Sequence, residues 1–329
     1  MWSKVGPHGQ RSTPELMCWA VVAPCIKAVG DVGILRGARS VNPNIFTIYR
    51  AGIDQDDQDH WTPDDWAWRI LHELGGFRPN AVEYKNEWKQ YLDDGLLQRI
   101  TEERRFVAIM HANGIPVLGG SLSVGSSEKD DILAYQQAGW AGMDYLGVHA
   151  YWQKYKPQDV WTAEWYRLVH EWTGGDHPSM ILSEWGIDDI DKLGAGWQAQ
   201  GINAEDYIAQ LDTNQARLPD YVKFAAAFSG GVYDKWAKFD LDGIVDLIIA
   251  KATEGGVYVP PVQQGGGTVP EQFEYILGFA EYARQHPEIG KPISPLMYDA
   301  NGTGVQYTET GMLHWVKASN KVLFFRASQ

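Results

Sequence analysis

Short apolar segments alternate along the chain with longer segments in which apolar residues recur every three or four positions. The short segments have the length of buried strands, and the i, i+3, i+4, i+7 spacing of the longer ones is typical of amphipathic helices. We predict eight strands, at residues 4–10, 25–31, 45–51, 81–86, 116–121, 145–150, 180–185 and 222–228. The clearest helices between them are predicted at residues 63–74, 96–113, 131–140, 162–172 and 204–218.

Eight alternating strand–helix pairs predict an α/β protein, a (β/α)8 TIM barrel over residues 1–253. Helix start signals agree with the pattern: Thr62 precedes a proline and two acids, and Asn203 precedes two acids without proline. The alternative is a doubly wound open sheet, but no Gly-rich phosphate turn follows the first strand.

The composition changes after residue 253. Residues 254–270 are rich in glycine and proline, and we expect a linker or an ordered loop crossing the barrel face. Residues 271–329 predict a small α+β appendage, with a helix at 271–285 and strands at 304–308, 314–318 and 321–326.

Composition and charge restrict the partners. Hydrophobic residues make up 44% and charged residues 21%, as in ordinary globular proteins, and no apolar run has the length of a membrane span. The net charge of −14 argues against nucleic acid, argues less strongly against anionic cell-wall polymers, and is compatible with neutral sugars. Fifteen Trp and 16 Tyr exceed the needs of a core, and aromatic rings in a groove stack on sugars. We therefore predict a carbohydrate partner, with neither nucleic acid nor membrane.

The first eight residues show neither the apolar region nor the cleavage site of a signal peptide. The expectation is a protein that acts in the cytoplasm, is released by lysis, or is exported with a segment missing from this sequence. Cys18 and Cys25 are too few for a disulfide framework or a zinc site, so we expect two buried thiols. The sequence predicts no cofactor and no metal.

The carboxyl ends of the strands carry the chemistry in a barrel of this kind. Glu87 follows strand four and Glu184 lies in strand seven, on opposite sides of the predicted barrel mouth. Two carboxyl groups about 5–5.5 Å apart are the arrangement of retaining glycoside hydrolysis. The alternative is that each glutamate merely caps the helix that follows.

Two short motifs resemble a known group of enzymes. The pair Asn86-Glu87 and the run at residues 183–186, Ser-Glu-Trp-Gly, are similar to the signature of glycoside hydrolase clan A, the retaining (β/α)8-barrel glycosidases. The resemblance covers about residues 3–250, and Trp88 stands where that clan usually has proline. It implies cleavage of a β-linked poly- or oligosaccharide by double displacement.

The resemblance also implies separate roles. Glu87 is implied to be the acid/base, Glu184 the nucleophile, and Asn86 the partner of the substrate 2-hydroxyl. His149 and Tyr151 match positions that flank and orient the nucleophile. For these two residues the alternative is a buried polar side chain without contact to substrate.

Further aromatic and charged candidates lie at the strand ends. Trp236 resembles the platform beneath the sugar, with plain packing as its alternative, and Trp152 and Trp185 are further substrate-binding candidates. His8 is either substrate-facing or structural. Arg50 either holds Glu184 ionised through charge-assisted hydrogen bonds or pairs with loop acids.

Lys27, Glu83 and Lys85 stand inside predicted strands, where apolar residues are expected. Because an isolated buried charge costs several kcal/mol, we predict a Lys27–Glu83 ion pair below the active residues. The acidic loop 54–59 is expected to be solvated, because it lacks the glycine and distal glutamate of a helix–loop–helix calcium site.

In the tail, residues 289–293, 306–311 and 314–315 resemble the short Gly-Phe-Pro-type repeats of bacterial cell-wall-associated proteins. The resemblance implies a glycan-binding appendage, and the alternative is a tail that packs on the barrel. Two other functions therefore stay open beside the retaining glycosidase: a lysis enzyme that cleaves cell-wall (peptidoglycan) glycan, and a non-catalytic carbohydrate-binding barrel.

Overall fold

The computed structural model describes residues 2–53, 55–87, 95–124, 128–154, 156–188, 196–254, 278–291, 297–298, 304–308, 311–316 and 321–326. Almost all of the predicted linker 254–270 lies outside these residues, as does the beginning of the predicted helix 271–285. The linker therefore stays a prediction.

Eight parallel strands pair in chain order and close into a barrel, which confirms the predicted (β/α)8 fold. The strands are β1 Val5–Gly9, β2 Cys25–Val29, β3 Phe46–Arg50, β4 Ala81–Glu83, β5 Val117–Leu122, β6 Tyr145–Trp152, β7 Ser179–Ile187 and β8 Val222–Gly230. The helices are α1 Pro14–Val22, α2 Val32–Val41, α3 Pro63–Leu74, α4 Gly95–Ala112, α5 Lys129–Gln137, α6 Trp165–Trp172, α7 Ala204–Gln215 and α8 Val245–Thr253.

The helix ends follow from local chemistry. Thr62 caps α3, because its hydroxyl oxygen accepts a hydrogen bond from the amide of Asp65 at 3.2 Å. Asn203 caps α7 in the same way, accepting from the amide of Asp206 at 2.7 Å. Gly75 ends α3 in the left-handed conformation, at φ 50°. Both predicted start signals are confirmed.

The barrel interior changes character along its axis. Near the amino-terminal ends, Ile48 and Ala81 belong to a fully buried apolar cluster. Two residues further along the same strands, on the same side, stand Arg50 and Glu83. An apolar layer thus closes the barrel from below, and charged side chains occupy the layer above it.

The C-terminal part forms a separate antiparallel sheet, in the order β12-β11-β10-β9. Its elements are α9 Gly278–Gln285, β9 Met297–Tyr298, β10 Gly304–Thr308, β11 Gly311–Val316 and β12 Lys321–Arg326. The three predicted tail strands overlap β10, β11 and β12. β9 was not predicted, because a strand of two residues is too short to show a period of alternating side chains.

Cys18 and Cys25 are buried free thiols, as predicted. Within the described ranges, none of the helices combines the length and the apolar character needed to cross a bilayer.

The loop after β8 contains a carboxyl group with a displaced pKa. Burial, and next to it the charge of Asp240, raises the pKa of Asp242 to about 7. Both carboxylate oxygens of Asp242 accept from the amide of Gly231, at 3.1 Å. Since the folded state favours the protonated acid, this group lowers stability progressively as the pH rises from about 4 to 7.

Asp242→Asn is expected to remove that pH dependence. Relative to the wild type, the variant should gain about 2–4 kcal/mol of unfolding free energy between pH 4 and pH 8. Urea unfolding of both proteins across this range measures the difference. Asp130→Asn, at an exposed position on α5, is the control. An equal pH dependence in wild type and Asp242→Asn would contradict the assignment.

Candidate active site

Polar side chains from four strands or strand ends converge at the carboxyl-terminal mouth of the barrel. Glu184 lies on β7 and is 7% exposed, while His149 and Tyr151 project from the neighbouring β6. Arg50 ends β3, and Glu87 lies four residues beyond β4. The structure therefore brings together the two glutamates that the sequence singled out.

One carboxylate oxygen of Glu184 faces two cationic side chains and a histidine ring. Oε1 lies 3.1 Å from Nη1 of Arg50, 3.7 Å from Nζ of Lys27 and 3.9 Å from Nε2 of His8. The predicted contact between Arg50 and Glu184 is thus present. It is a charge-assisted hydrogen bond, of the kind that favours an ionised carboxylate.

The other oxygen, Oε2, faces β6. The hydroxyl of Tyr151 donates a hydrogen bond to it at 2.8 Å, and Nδ1 of His149 lies 3.6 Å away. Burial, together with the charges of both glutamates, raises the pKa of Tyr151 well above its usual value. Tyr151 consequently stays a phenol over the physiological range and keeps its proton for this bond.

The ionisation of Glu184 is decided by the groups around it. Burial alone would raise the pKa of this carboxyl, but His149, Lys27 and Arg50 outweigh burial and hold the pKa well below the ordinary range. Glu184 is therefore a carboxylate at neutral pH, buried yet directed towards the barrel mouth.

Glu87 has a different environment. Its side chain is 26% exposed, and its Oε1 lies 2.7 Å from Nδ1 of His149. Its backbone has a positive φ of 38°, which a residue with a Cβ rarely adopts and which costs about 1–3 kcal/mol. The turn after β4 therefore places Glu87 at the cleft with a strained backbone.

The two carboxyl groups are close together. One oxygen of Glu87, one oxygen of Glu184 and a ring nitrogen of His149 all lie within 4.8 Å of one another. Retaining glycosidases separate their carboxyl groups by about 5–5.5 Å, and inverting enzymes by about 6.5–9.5 Å. The distance between these two oxygens is below the range of the inverting class.

Three such ligand atoms could also chelate a metal ion. Two cationic side chains, Lys27 and Arg50, already face Glu184 and would repel a further positive charge. The donor set therefore fits proton transfer and nucleophilic attack better than it fits a metal centre.

A second layer of charge lies beneath Glu184. Lys27 and Glu83 form an ion pair of 2.5 Å, and both side chains are fully buried, which confirms the predicted pair. Ser121 donates a hydrogen bond to Glu83 at 2.9 Å. Lys85, which lies two residues beyond the end of β4, pairs with Glu102 at 3.2 Å. Every charge that the sequence placed inside a strand thus has a partner.

Asn86 is held by two neighbours. Its side-chain oxygen accepts a hydrogen bond from Arg50. Its peptide groups bond with Gln58, whose amide donates to the Asn86 carbonyl at 3.2 Å and whose oxygen accepts from the Asn86 amide at 2.5 Å. Gln58 is buried in a 3-10 segment, Gln55–His60, within the loop predicted to be acidic and solvated. Gln58 has no signal of its own in the sequence, because it stands among acidic residues in a loop without periodicity.

Trp236 is connected to the active-site residues through the ring of Phe228. It is half-buried, and its ring packs edge-on against Phe228 with 5.4 Å between ring centroids. Phe228 in turn contacts Tyr151 at 6.1 Å and His8 at 4.8 Å. Phe228 was not singled out by the sequence, because a phenylalanine at a strand end has no signal separating it from the core.

Two predicted aromatic residues do not reach the cleft. Trp152 and Trp185 are buried and pack against each other at 5.1 Å, and Trp152 bonds with Gln210 of α7. Side chains alternate along a strand, so the inward positions of Tyr151 and Glu184 turn their neighbours outward, under the helices. Their predicted role in substrate binding is corrected to core packing.

His8 is also enclosed. It is fully buried, and its Nδ1 lies 3.2 Å from the hydroxyl of Ser229. Burial and the charge of Lys27 lower its pKa well below the usual value, so the ring is neutral. Of its two predicted roles, the structure supports the structural one, because a fully covered ring cannot contact substrate.

The fold and the site together define a (β/α)8 barrel with a paired-carboxylate centre. The sequence matches neither a protein-family model nor a curated protein. Among solved structures, a GH128 (subgroup I) endo-β-1,3-glucanase from Amycolatopsis mediterranei in complex with laminaritriose is 13% identical, with a TM-score of 0.46, over 73% of this chain and 92% of that chain.

A GH128 (subgroup VI) exo-β-1,3-glucanase from Aureobasidium namibiae is 13% identical over 72% of this chain and 90% of that one, with a TM-score of 0.42. The YdjI aldolase from Escherichia coli K12 is 14% identical over 69% of this chain and 75% of that one, with a TM-score of 0.38. Likeness at this level concerns the fold alone, since barrels of one shape support different reactions.

Proposed function

We propose that this protein is a retaining glycoside hydrolase that cleaves a β-linked poly- or oligosaccharide. The observation that carries the proposal is the pairing of a buried, ionised Glu184 with a partly exposed Glu87 whose oxygen lies within 4.8 Å. One carboxylate is ready to attack, and the other lies where it can exchange protons with a bound sugar and water.

In the first half-reaction, Glu184 attacks the anomeric carbon while Glu87 gives its proton to the glycosidic oxygen. The bond between the anomeric carbon and that oxygen breaks, and the leaving sugar departs as an alcohol. In the second, Glu87 takes a proton from water as the water oxygen attacks the anomeric carbon. The ester bond to Glu184 breaks, and the sugar leaves with its original configuration.

Neighbouring residues support this assignment. The Tyr151 hydroxyl, at 2.8 Å, orients one oxygen of Glu184, and Arg50, at 3.1 Å, orients the other. Because the Asn86 oxygen accepts from Arg50, its NH₂ group is the part we assign to the substrate 2-hydroxyl. Trp236 is assigned to the rim as an aromatic platform.

We also propose that residues 1–253 are the catalytic unit and that residues 271–329 are an appendage that contacts glycan. The closed barrel, which is complete at α8, and the separate C-terminal sheet support this division. The contact with glycan rests on the sequence resemblance of the tail, and binding of the isolated substrate polymer to full-length and tail-substituted protein would test it.

A non-catalytic sugar-binding barrel is the competing function, because both glutamates do have polar partners: Glu184 has five and Glu87 has His149. The exposed face of Glu87 and its strained backbone favour catalysis, since a purely structural acid has no need of either.

The proposed reaction is expected to appear in a glycan panel. Purified protein is incubated with β-1,3- and β-1,4-glucans, xylan, mannan, chitin oligosaccharides and peptidoglycan, and new reducing ends are measured. On the polymer that is cleaved, proton NMR at early times should show the β-anomer first, because two displacements restore configuration. Early α-anomer would contradict retention, and no cleavage of any glycan would favour the binding barrel.

A further inference from the structure

Two carboxylates share two cations at the centre of the barrel. Nζ of Lys27 lies 2.5 Å from Oε2 of Glu83 and 3.7 Å from Oε1 of Glu184. Nη1 of Arg50 lies 3.7 Å and 3.1 Å from the same two oxygens. The group is a compact set of two negative and two positive charges, of which only Glu184 is proposed to react.

Lys27 and Glu83 cannot touch a substrate, because both side chains are fully buried below Glu184. Any effect that they have on a bound sugar must therefore pass through Glu184. The apolar cluster that includes Ile48 and Ala81 lies directly beneath. Apolar packing would serve stability there at least as well, since a buried ion pair often contributes little beyond its desolvation cost.

We propose that Lys27 and Glu83 are a pair of positioning residues of opposite sign that set the balance between the two half-reactions of Glu184. This inference rests on the proposed function. When Glu184 forms its ester with the sugar, it loses its negative charge. Glu83 is then the buried acid that still holds Lys27 and Arg50 in place, ready for the carboxylate that must leave in the second step.

The two residues act in opposite directions. A positive charge at Lys27 stabilises Glu184 as a carboxylate, which makes it a weaker nucleophile in the first step and a better leaving group in the second. The negative charge of Glu83 partly cancels the positive charge of Lys27, so Glu83 preserves the nucleophilicity of Glu184. The other carboxylate oxygen of Glu83 accepts a hydrogen bond from Ser121, which holds the Glu83 carboxylate in one position.

Other groups also face Glu184, and they are the same in wild type and in the Lys27 and Glu83 variants. Those within the described residues that come from the surrounding strands are His8 on β1, Arg50 on β3, Glu87 after β4, and His149 and Tyr151 on β6.

The test compares pH profiles of kcat/KM and pre-steady-state bursts on a 2,4-dinitrophenyl glycoside of the sugar that the glycan panel identifies. Lys27→Met should raise the acid-limb pKa by about 1–3 units and slow hydrolysis of the intermediate, so that the burst grows. Glu83→Gln should move the acid limb downward and slow formation of the intermediate, so that the burst shrinks. The double variant should lie between the two.

Matched controls separate this role from a structural one. Glu164→Gln and Arg217→Met break another ion pair, of 2.8 Å, between the residue before α6 and a residue after α7, and should leave the acid limb in place. Lys27→Arg keeps the charge and should keep the limb near that of wild type, even if Lys27→Met does not fold. The inference would be overturned if Lys27→Met and Glu83→Gln moved the acid limb in the same direction, or if Lys27→Arg moved it as far as Lys27→Met does.

Failure of the proposed function would look different. A 2-deoxy-2-fluoro glycoside should trap wild-type Glu184 as a stable ester, detectable by mass spectrometry of peptides. If wild type neither turns over glycans nor becomes labelled, the proposed function fails. If wild type is active and labelled, but Lys27 and Glu83 variants show no opposed shifts, this inference alone fails.

Discussion

Replacing Glu184 with glycine is expected to lower kcat/KM by a factor on the order of 10⁴ or more, because the carboxylate proposed to attack the anomeric carbon is removed. The small side chain leaves a space between Tyr151 and Arg50 that suits a small anion. Added azide should enter this space and restore turnover of a dinitrophenyl β-glycoside. The product should be the α-glycosyl azide, since only one displacement occurs.

Product configuration, measured by NMR, decides the role of Glu184. A β-glycosyl azide would assign the residue as acid/base instead, and a variant that keeps full activity would exclude it from the reaction. Glu205→Gln, at an exposed position in the first turn of α7, is the control for a lost carboxylate and should keep wild-type rates.

Glu87→Gln is expected to lower kcat/KM by about 10²–10⁴-fold on glycosides with poor leaving groups, because the departing oxygen receives no proton. On dinitrophenyl glycosides the first step should be nearly unaffected, since that leaving group needs no acid. Hydrolysis of the intermediate then becomes slow, because water is no longer deprotonated. The glycosyl ester of Glu184 should consequently accumulate.

The dependence of rate on leaving-group pKa is the measurement for Glu87. A steep dependence in the variant and a shallow one in wild type would identify the proton donor. Equal slopes would contradict the role of Glu87. Azide should here yield the β-glycosyl azide, the opposite configuration to that expected for Glu184→Gly, so the two experiments check each other.

The fold was accessible from the sequence because its signal is repeated eight times and each unit is bounded by caps such as Thr62 and Asn203. Part of the charged centre of the barrel could also be predicted from the sequence, for another reason. Lys27 and Glu83 stand out inside apolar strands, and the cost of burying either alone requires a partner. Position at a strand end identified Glu87 and Glu184 as neighbours in space, but only the structure gives their separation.

The errors have physical causes as well. Trp152 and Trp185 lie one residue beyond inward-facing positions, and a shift of one residue reverses the side of a strand. The ends of β6 and β7 could not be fixed to that accuracy. The hydrogen bonds of Gln58 depend on the path of the loop after β3, and a loop has no periodic pattern of apolar residues from which its path could be predicted. Phe228 and His8 are covered by neighbours from β1, β6 and β8, a property of packing that no single segment encodes.

The hydrogen bonds of Gln58 have a consequence for protein engineering. Specificity in barrels of this type is usually altered by exchanging the loops above the strands. The loop after β3, however, also fixes both peptide groups of Asn86, one residue before Glu87. A transplanted loop that lacks a glutamine at this position would release the turn carrying Glu87, so a redesigned enzyme would lose rate before its selectivity could be judged.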